Sequence, residues 1–289
     1  MGGGSFDAYT VTSPSGPHVT LQAGVVHLGR HWTTTTRRSA KAASIRRVGR
    51  ATATVRDNGR WRVIGGEASV LDLRHPSTIA VDLLSSAGAA GALFRLGLGR
   101  VDQLIGYAEA GTAIPASFLP SGRVLLVTRI RDELVLDHDQ ITKAKGRWAA
   151  LSRDLTPPIR PAPRRRVHHR RLRDVPQSIA ALAGQPGRGW LGVTTTSGAV
   201  ALPAAWDPDR SRIRVGRRAL AAVAALLPGP ACLTLHDSHR RRPDEKIGVM
   251  LRGEGTLIEA DDTGASIVLR VERVTHWCGF ASSTSGQFA

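Results

Sequence analysis

Cysteine, aromatic residues and long apolar runs are all scarce in this chain of 289 residues. Its two cysteines, Cys232 and Cys278, are too few for a disulfide framework or a four-cysteine zinc site. Arg or Gly interrupts every apolar stretch before it reaches the roughly 18 residues that a membrane helix needs. The first residues lack the basic and apolar regions of a signal peptide. We therefore expect a soluble, cytoplasmic protein that needs no metal and does not enter a membrane.

Acidic residues are also few. The chain has 23 Asp and Glu and 40 Lys and Arg, so its formal net charge is +17. Residues 141–175 hold 11 basic and 2 acidic residues, a net +9, together with several prolines. Prolines and like charges favour an extended backbone, so this segment is predicted to be a linker between domains at 1–140 and 176–289. An anionic partner such as nucleic acid is the alternative for residues 160–173. No aromatic residues interleave with the arginines there, which makes nucleic acid the less favoured partner.

An internal repeat relates the two predicted domains. With Arg37-Arg38 placed against Arg217-Arg218, the next twenty residues correspond without a gap at an offset of 180. After a loop of different length, Gly66-Glu67 aligns with Gly253-Glu254. Collinear matches along a whole domain indicate a duplication.

Each copy is predicted to contain five or six antiparallel strands, with one helix after the third strand. The last strands are aligned by placing residues 127–130 against 271–274. The first copy carries an insertion at 76–120. Helical patterns are predicted at Ser39–Arg47, Ile79–Leu84, Val101–Ala110 and Ala219–Leu227. A set of strands of this kind closes into a small barrel, so the expected fold class is α+β, mainly β, with two tandem barrels.

The junction between the third strand and the helix of the first copy concentrates groups that bind anions. The candidate site residues are Thr34, Thr35, Thr36, Arg37, Arg38, Ser39 and Lys41. Free N–H groups and the positive end of the helix dipole attract phosphate, which guanidinium groups can hold through two hydrogen bonds. Ser39 also suits the role of helix N-cap, and a solvated surface turn is the alternative interpretation of the whole segment.

The pattern Thr35-x-x-x-Ser39-x-Lys41 resembles the flavin-phosphate motif of the pyridoxamine 5'-phosphate oxidase-like family, the split β-barrel proteins that bind FMN or F420. The hairpin at Gly16-Pro-His-Val19 and the turn at Asp57-x-Gly59 are similar as well. The resemblance implies two split β-barrels packed as an intramolecular pseudo-dimer, with the flavin ring in a groove between them. It implies a flavin-dependent oxidoreductase that acts on a small molecule. FMN is the implied cofactor, F420 is the alternative, and haem is less favoured.

The second copy departs from this pattern, because Ala219 and Ala221 stand where the first copy has Ser39 and Lys41. We expect one cofactor site per chain, with the second copy as the opposite wall, in a monomeric pseudo-dimer or a homodimer. Weak binding through Arg217-Arg218 is the alternative.

No catalytic residue is singled out by the sequence. The C-terminal segment lacks the Arg-x-His pattern with which the oxidase itself holds pyridoxal phosphate, so that activity is not expected. His236 and His239 are spaced as metal ligands could be, but they fall in a polar hairpin turn.

Overall fold

The computed structural model describes residues 6–72, 74–75, 83–98, 101–137, 140–150, 175–195, 198–216, 228–237, 242–261 and 264–285. Strands form most of this part of the chain. The first sheet contains β1 (Asp7–Ser13), β2 (Gly16–Gln22), β3 (Gly24–His27), β4 (Arg30–Thr36), β5 (Arg50–Asp57), β6 (Arg60–Leu71), β7 (Arg123–Asp137) and β8 (Gln140–Lys145). The second contains β9 (Gly187–Thr195), β10 (Gly198–Asp207), β11 (Arg212–Val215), β12 (Gly229–His236), β13 (Ile247–Asp261), β14 (Gly264–Cys278) and β15 (Ala281–Ser285). The helices are α1 (Ala40–Val48), α2 (Leu83–Leu98), α3 (Val101–Ala110) and α4 (Gln177–Ala183).

The first sheet curls round until its two ends are joined by a single residue. Its order is β2-β1-β5-β6-β7-β4-β3, with β8 added beside β7. Because only Ala23 separates β2 from β3, one bent chain segment pairs with β1 at one end of the sheet and with β4 at the other. The interior is filled by apolar side chains that include Tyr9, Ile64 and Leu126.

The second sheet closes completely. Its path runs β11-β10-β9-β12-β13-β14, and β11 also pairs with β14, so six strands form a ring. Helix α4 covers the core of this barrel, where Ile179 and Ala183 are buried and the Trp206 indole donates to the Ala183 carbonyl at 2.8 Å. The predicted α+β, mainly β fold with two tandem barrels is therefore confirmed.

The strand registers establish which residues of the two copies are equivalent. Thr54 pairs with Val63 as Thr234 pairs with Met250, which agrees with the predicted repeat. The predicted alignment of the last strands is wrong by three residues. Gly66 pairs with Ile130 and Gly253 pairs with Val271, so Ile130 is equivalent to Val271 rather than to Val274. The loops that enter these strands differ in length, which shifted the sequence match.

The two barrels pack against each other about a pseudo-twofold axis. The Thr54 hydroxyl in β5 donates to the Ala201 carbonyl in β10, and the Thr234 hydroxyl in β12 donates to the Val19 carbonyl in β2. Register makes Thr54 equivalent to Thr234 and Val19 equivalent to Ala201, so these are the two halves of one reciprocal contact. Reciprocity of this kind is the signature of a twofold interface.

The insertion of the first copy packs on the outside of its barrel. Helix α3 occupies the predicted residues, whereas α2 was not predicted over its observed length, because glycines and alanines obscure its apolar periodicity. Gly88 lies against the Trp32 ring and Gly91 against His27, so the small residues allow the helix to approach the sheet. Residues 76–82 lie outside the described part of the chain.

Strand β8 lies within the segment predicted as a linker, and most of the remainder of that segment, residues 151–174, lies outside the described part of the chain. The domain limits stay a prediction, as does any partner of residues 160–173.

Candidate functional site

A groove with a cavity volume of about 1630 Å³ lies between the two barrels. The first barrel contributes residues of β2 and of the β4–α1 junction, and the second contributes residues of β13, β14 and β15. Its charged lining residues are Arg37, Arg38, Lys41, Arg252, Glu254, Arg270, Glu272 and Arg273. Glu254 and Glu272 both pair with Arg270, at 2.8 and 2.9 Å, so the groove retains an excess of positive charge.

Five of the seven predicted site residues border this groove. They are Thr36, Arg37, Arg38, Ser39 and Lys41. Thr34 and Thr35 do not border it. The Thr34 hydroxyl accepts from Arg123 at 2.6 Å, and Thr35 is buried. Side chains alternate along β4, so Thr35 faces away from the side of Thr36, whereas Thr34 lies on that side but contacts Arg123.

Helix α1 begins at Ser39, whose hydroxyl accepts from the Ala42 N–H at 3.2 Å. The helix ends at Gly49, which has a φ of 67° and donates its N–H to the Ile45 carbonyl. Ser39 thus has the capping role that the sequence allowed, while the helix N-terminus and its positive dipole face the groove.

Arg37 forms an ion pair with a residue of its own barrel. Its guanidinium donates to both carboxylate oxygens of Asp72, at 2.6 and 2.7 Å, and this contact raises the pKa of Arg37 and lowers that of Asp72. Arg38 is exposed and forms no ion pair with a described residue. Of the predicted pair, Arg38 is therefore the one whose charge is available to a ligand.

Lys41 is half-buried at the first turn of α1. Its ammonium donates to the Thr20 hydroxyl at 3.1 Å, and no described carboxylate pairs with it. Burial and, secondarily, the nearby charge of Arg123 lower the pKa of Lys41 to about 7. An ammonium that is partly buried without a counter-ion is stabilised by an anion that enters the groove.

Arg252 and His18 were not among the predicted site residues. Arg252 projects from β13 of the second barrel and donates to His18 Nδ1 at 2.8 Å and to the Ser15 hydroxyl at 3.0 Å. Burial, followed by the charges of Arg252 and Lys41, lowers the pKa of His18 to about 3, so the imidazole is neutral. The signal that could have found Arg252 is its departure from the repeat, since the equivalent residue of the first copy is Gly65.

The donor set of this groove fits a phosphate ester with an attached aromatic ring. Lys41, Arg38 and the start of α1 supply charge and N–H groups on one wall. Trp277 and Phe280 border the opposite wall, where Phe280 packs against Phe118 with ring centroids 4.7 Å apart. Positive charge on one wall and aromatic surface on the other match the two ends of such a ligand.

The sequence also suggested other candidate residues. Three of them, Arg217, Arg218 and His239, lie outside the described part of the chain. His236 is partly buried in the groove wall, and burial with the charge of Lys246 lowers its pKa to about 4. Cys232 is buried, which raises its pKa to about 12, and Cys278 is exposed.

Within the described ranges, no group of three His, Cys, Asp or Glu side chains is arranged to hold a metal ion. Over the same residues, no helix combines the length and apolar character that crossing a membrane requires.

The sequence matches no family model and no curated protein. Solved structures similar to part of the chain include General Stress Protein 26 from Bacillus anthracis, with 12% identity, 47% of this chain and 86% of that chain covered, and a TM-score of 0.31. A protein described as an F420 reductase is 16% identical to this chain. The match covers 45% of this chain and 88% of the reductase, with a TM-score of 0.30. A pyridoxamine 5'-phosphate oxidase-related, FMN binding protein from Nostoc punctiforme is 17% identical. The match covers 46% of this chain and 74% of that protein, with a TM-score of 0.29. Each match spans about half of this chain, and the last two bear names from the group of proteins that the sequence resembles.

Proposed function

We propose that the groove between the barrels holds the phosphate of a flavin-class cofactor, and that the chain is an oxidoreductase acting on a small molecule. FMN is the first candidate and F420 the second. The observation that carries this proposal is Lys41, a half-buried cation that pairs with no carboxylate of the described residues and lies at a helix N-terminus on the wall of a large groove. We place this activity in the cytoplasm and in a monomeric chain.

The bound cofactor would supply hydride or electron transfer, and the residues of the chain would bind and orient it. Lys41 and Arg38 would neutralise the phosphate, and the N–H groups at the start of α1 would donate to it. The Arg37–Asp72 ion pair holds the β4–α1 junction in place. Trp277 and Phe280 would give the ring an apolar wall.

F420 is retained because its tail carries additional negative charge, which suits the excess of cations along the groove. The exposed Arg38 is one of these cations. A direct comparison of the two cofactors decides between them.

The test is a titration of the purified protein with FMN and with F420, followed by absorbance and fluorescence. Lys41→Ala is expected to weaken the preferred cofactor about 10- to 100-fold, because a charge-assisted hydrogen bond contributes about 1.5–3 kcal/mol. Lys41→Ala combined with Ser39→Ala should weaken it further. Arg47→Ala is the matched control, since Arg47 is an exposed cation on the same helix that does not border the groove. Failure of the wild-type protein to bind either cofactor, or equal binding by Lys41→Ala and Arg47→Ala, would overturn the proposal.

A further inference from the structure

Two polar side chains of strand β2 border the groove, His18 and Thr20. They are two residues apart on one face of the strand, a spacing of about 7 Å. Each contacts a cation from a different element. Lys41 of α1 donates to Thr20, and Arg252 of β13 contacts His18. The groove therefore has two separate positive positions, one from each barrel.

Arg252 has polar contacts but no anionic partner among the residues that the structure describes. Only 8% of its surface is exposed, and it contacts the Ser15 hydroxyl, the neutral His18 ring and the Met250 sulfur. No described carboxylate lies within ion-pair distance of it, and the nearby charge of Arg273 adds to the positive potential. Burying a guanidinium without a counter-ion is unfavourable, so an anion that binds beside Arg252 would stabilise the arrangement.

The packing of the barrels does not require this arginine. The equivalent residue of the first copy is Gly65, and the equivalent of His18 is the buried Val200. The strands pair in the same way with a glycine at that position. Of the two equivalent positions, only that of the second copy carries an arginine, and this arginine borders the same groove as Lys41.

We propose that Arg252 is a second anion-binding residue, which recognises a negatively charged oxygen group beside the phosphate position at Lys41. This inference rests on the proposed function for the identity of the first anion. The second anionic group belongs either to the cofactor itself or to a small anionic substrate beside it. In both cases the second barrel contributes a residue that binds the ligand, in addition to forming a wall.

The test measures the affinity for tripolyphosphate relative to inorganic phosphate by calorimetry on the full chain. Ser15→Asp places a carboxylate beside Arg252 without altering the buried arginine, because Ser15 is exposed and already accepts from it. Ser15→Asn is the neutral control. Ser282→Asp controls for added negative charge, because Ser282 is exposed on the rim of the same groove.

We expect the wild-type protein, Ser15→Asn and Ser282→Asp to prefer tripolyphosphate by about tenfold or more, and Ser15→Asp to lose most of this preference. Lys41→Ala should lose it as well. An unchanged preference in Ser15→Asp relative to Ser15→Asn would overturn the proposal. If neither FMN nor F420 binds while the preference depends on Ser15→Asp, the proposed function fails and the second anion site stands.

Two further measurements distinguish the source of the second anion. Weaker cofactor binding in Ser15→Asp than in Ser15→Asn assigns the group to the cofactor. Equal cofactor binding, with weaker binding of inorganic phosphate to the cofactor-loaded Ser15→Asp protein, assigns it to the substrate. If neither quantity differs between the two variants, Arg252 binds no anion in the loaded protein and the proposal is wrong.

Discussion

At the scale of single residues, threonine hydroxyls join the two barrels. Thr52 and Thr54 donate to carbonyls of β10 at 2.6 Å, and Thr234 donates to β2 at 3.1 Å. The acceptors belong to strands that already form ladder hydrogen bonds, so the second lone pair of each carbonyl is used. Cys232 stands at the position equivalent to Thr52 and packs instead in the apolar cluster between the barrels.

Thr54→Val and Thr234→Val are expected to destabilise the protein by similar amounts, about 1–3 kcal/mol each. Each change keeps the shape of the side chain but removes the donor to a buried carbonyl. Urea unfolding followed by circular dichroism measures the difference in the free energy of unfolding. Thr142→Val is the control, because its hydroxyl is exposed. A cost for Thr54→Val alone would show that the two contacts are not energetically equivalent.

The charge of Lys41 predicts how cofactor binding depends on pH. Its pKa of about 7 in the free groove means that the ammonium is half deprotonated at pH 7 and that deprotonation is nearly complete at pH 9. A phosphate monoester is already a dianion in this range, and His18 stays neutral. FMN affinity should therefore be highest at the low end and fall with rising pH. Dissociation constants in that range should show this fall, and Lys41→Arg, which keeps its charge, should remove it.

At the scale of elements, one irregularity recurs in both barrels. The register of β6 against β7 shifts between Gly65 and Gly66, and that of β13 against β14 shifts between Arg252 and Gly253. A β-bulge bends its strand, which helps a sheet of this size to close. A Cβ atom at Gly66 would lie 2.0 Å from the Arg129 carbonyl oxygen, so only glycine fits.

Gly66→Ala is expected to cost about 2–4 kcal/mol, because the new methyl group forces the two strands apart and the residue has a φ of 156°. Thermal and urea unfolding measure this loss. Gly97→Ala is the control, since no atom lies within 4 Å of the added Cβ and alanine favours the helical backbone of α2. An equal effect of the two substitutions would show that the bulge tolerates a side chain.

At the scale of the whole molecule, the two halves of the interface lie on one chain. The faces that a homodimer of barrels would bury are already buried against each other, as the cluster of Ala8, Val19, Ala201, Cys232 and Met250 shows. Two pseudo-equivalent grooves follow from such symmetry, but the side chains are not symmetric. The groove between the barrels has Lys41, His18 and Arg252, whereas Val200 and Gly65 stand at the positions equivalent to His18 and Arg252, and Ala221 aligns with Lys41 in the sequence repeat.

We therefore expect one FMN, or one F420, for each chain of 30.8 kDa. Val200 and Gly65 stand at the positions equivalent to the imidazole and the guanidinium, and the sequence has Ala221 where the first copy has the ammonium, so we expect weaker phosphate binding at the equivalent position. Equilibrium dialysis combined with light scattering gives the number of cofactors per chain and the mass of the particle. Two equivalents per chain with equal affinity would contradict this expectation.

The duplication, the barrel architecture and the β4–α1 junction could all be predicted from the sequence, because they depend on local patterns. Alternation predicts strands, Ser39 and Gly49 mark the ends of a helix, and matched residues at a fixed offset reveal a repeat. Local patterns do not reveal that Thr35 is buried or that the Thr34 hydroxyl accepts from Arg123, because both depend on how β4 packs in the barrel.

Only the tertiary structure decided which charges are available to a ligand. The Arg37–Asp72 pair joins residues 35 positions apart, and the Arg252–His18 contact joins residues 234 positions apart. Such contacts depend on how the barrels pack, and packing combines surfaces that no local pattern relates. The sequence by itself therefore determined the two barrels and the position of the first cation, Lys41. The association of the barrels determined the groove and placed the second cation, Arg252, beside it.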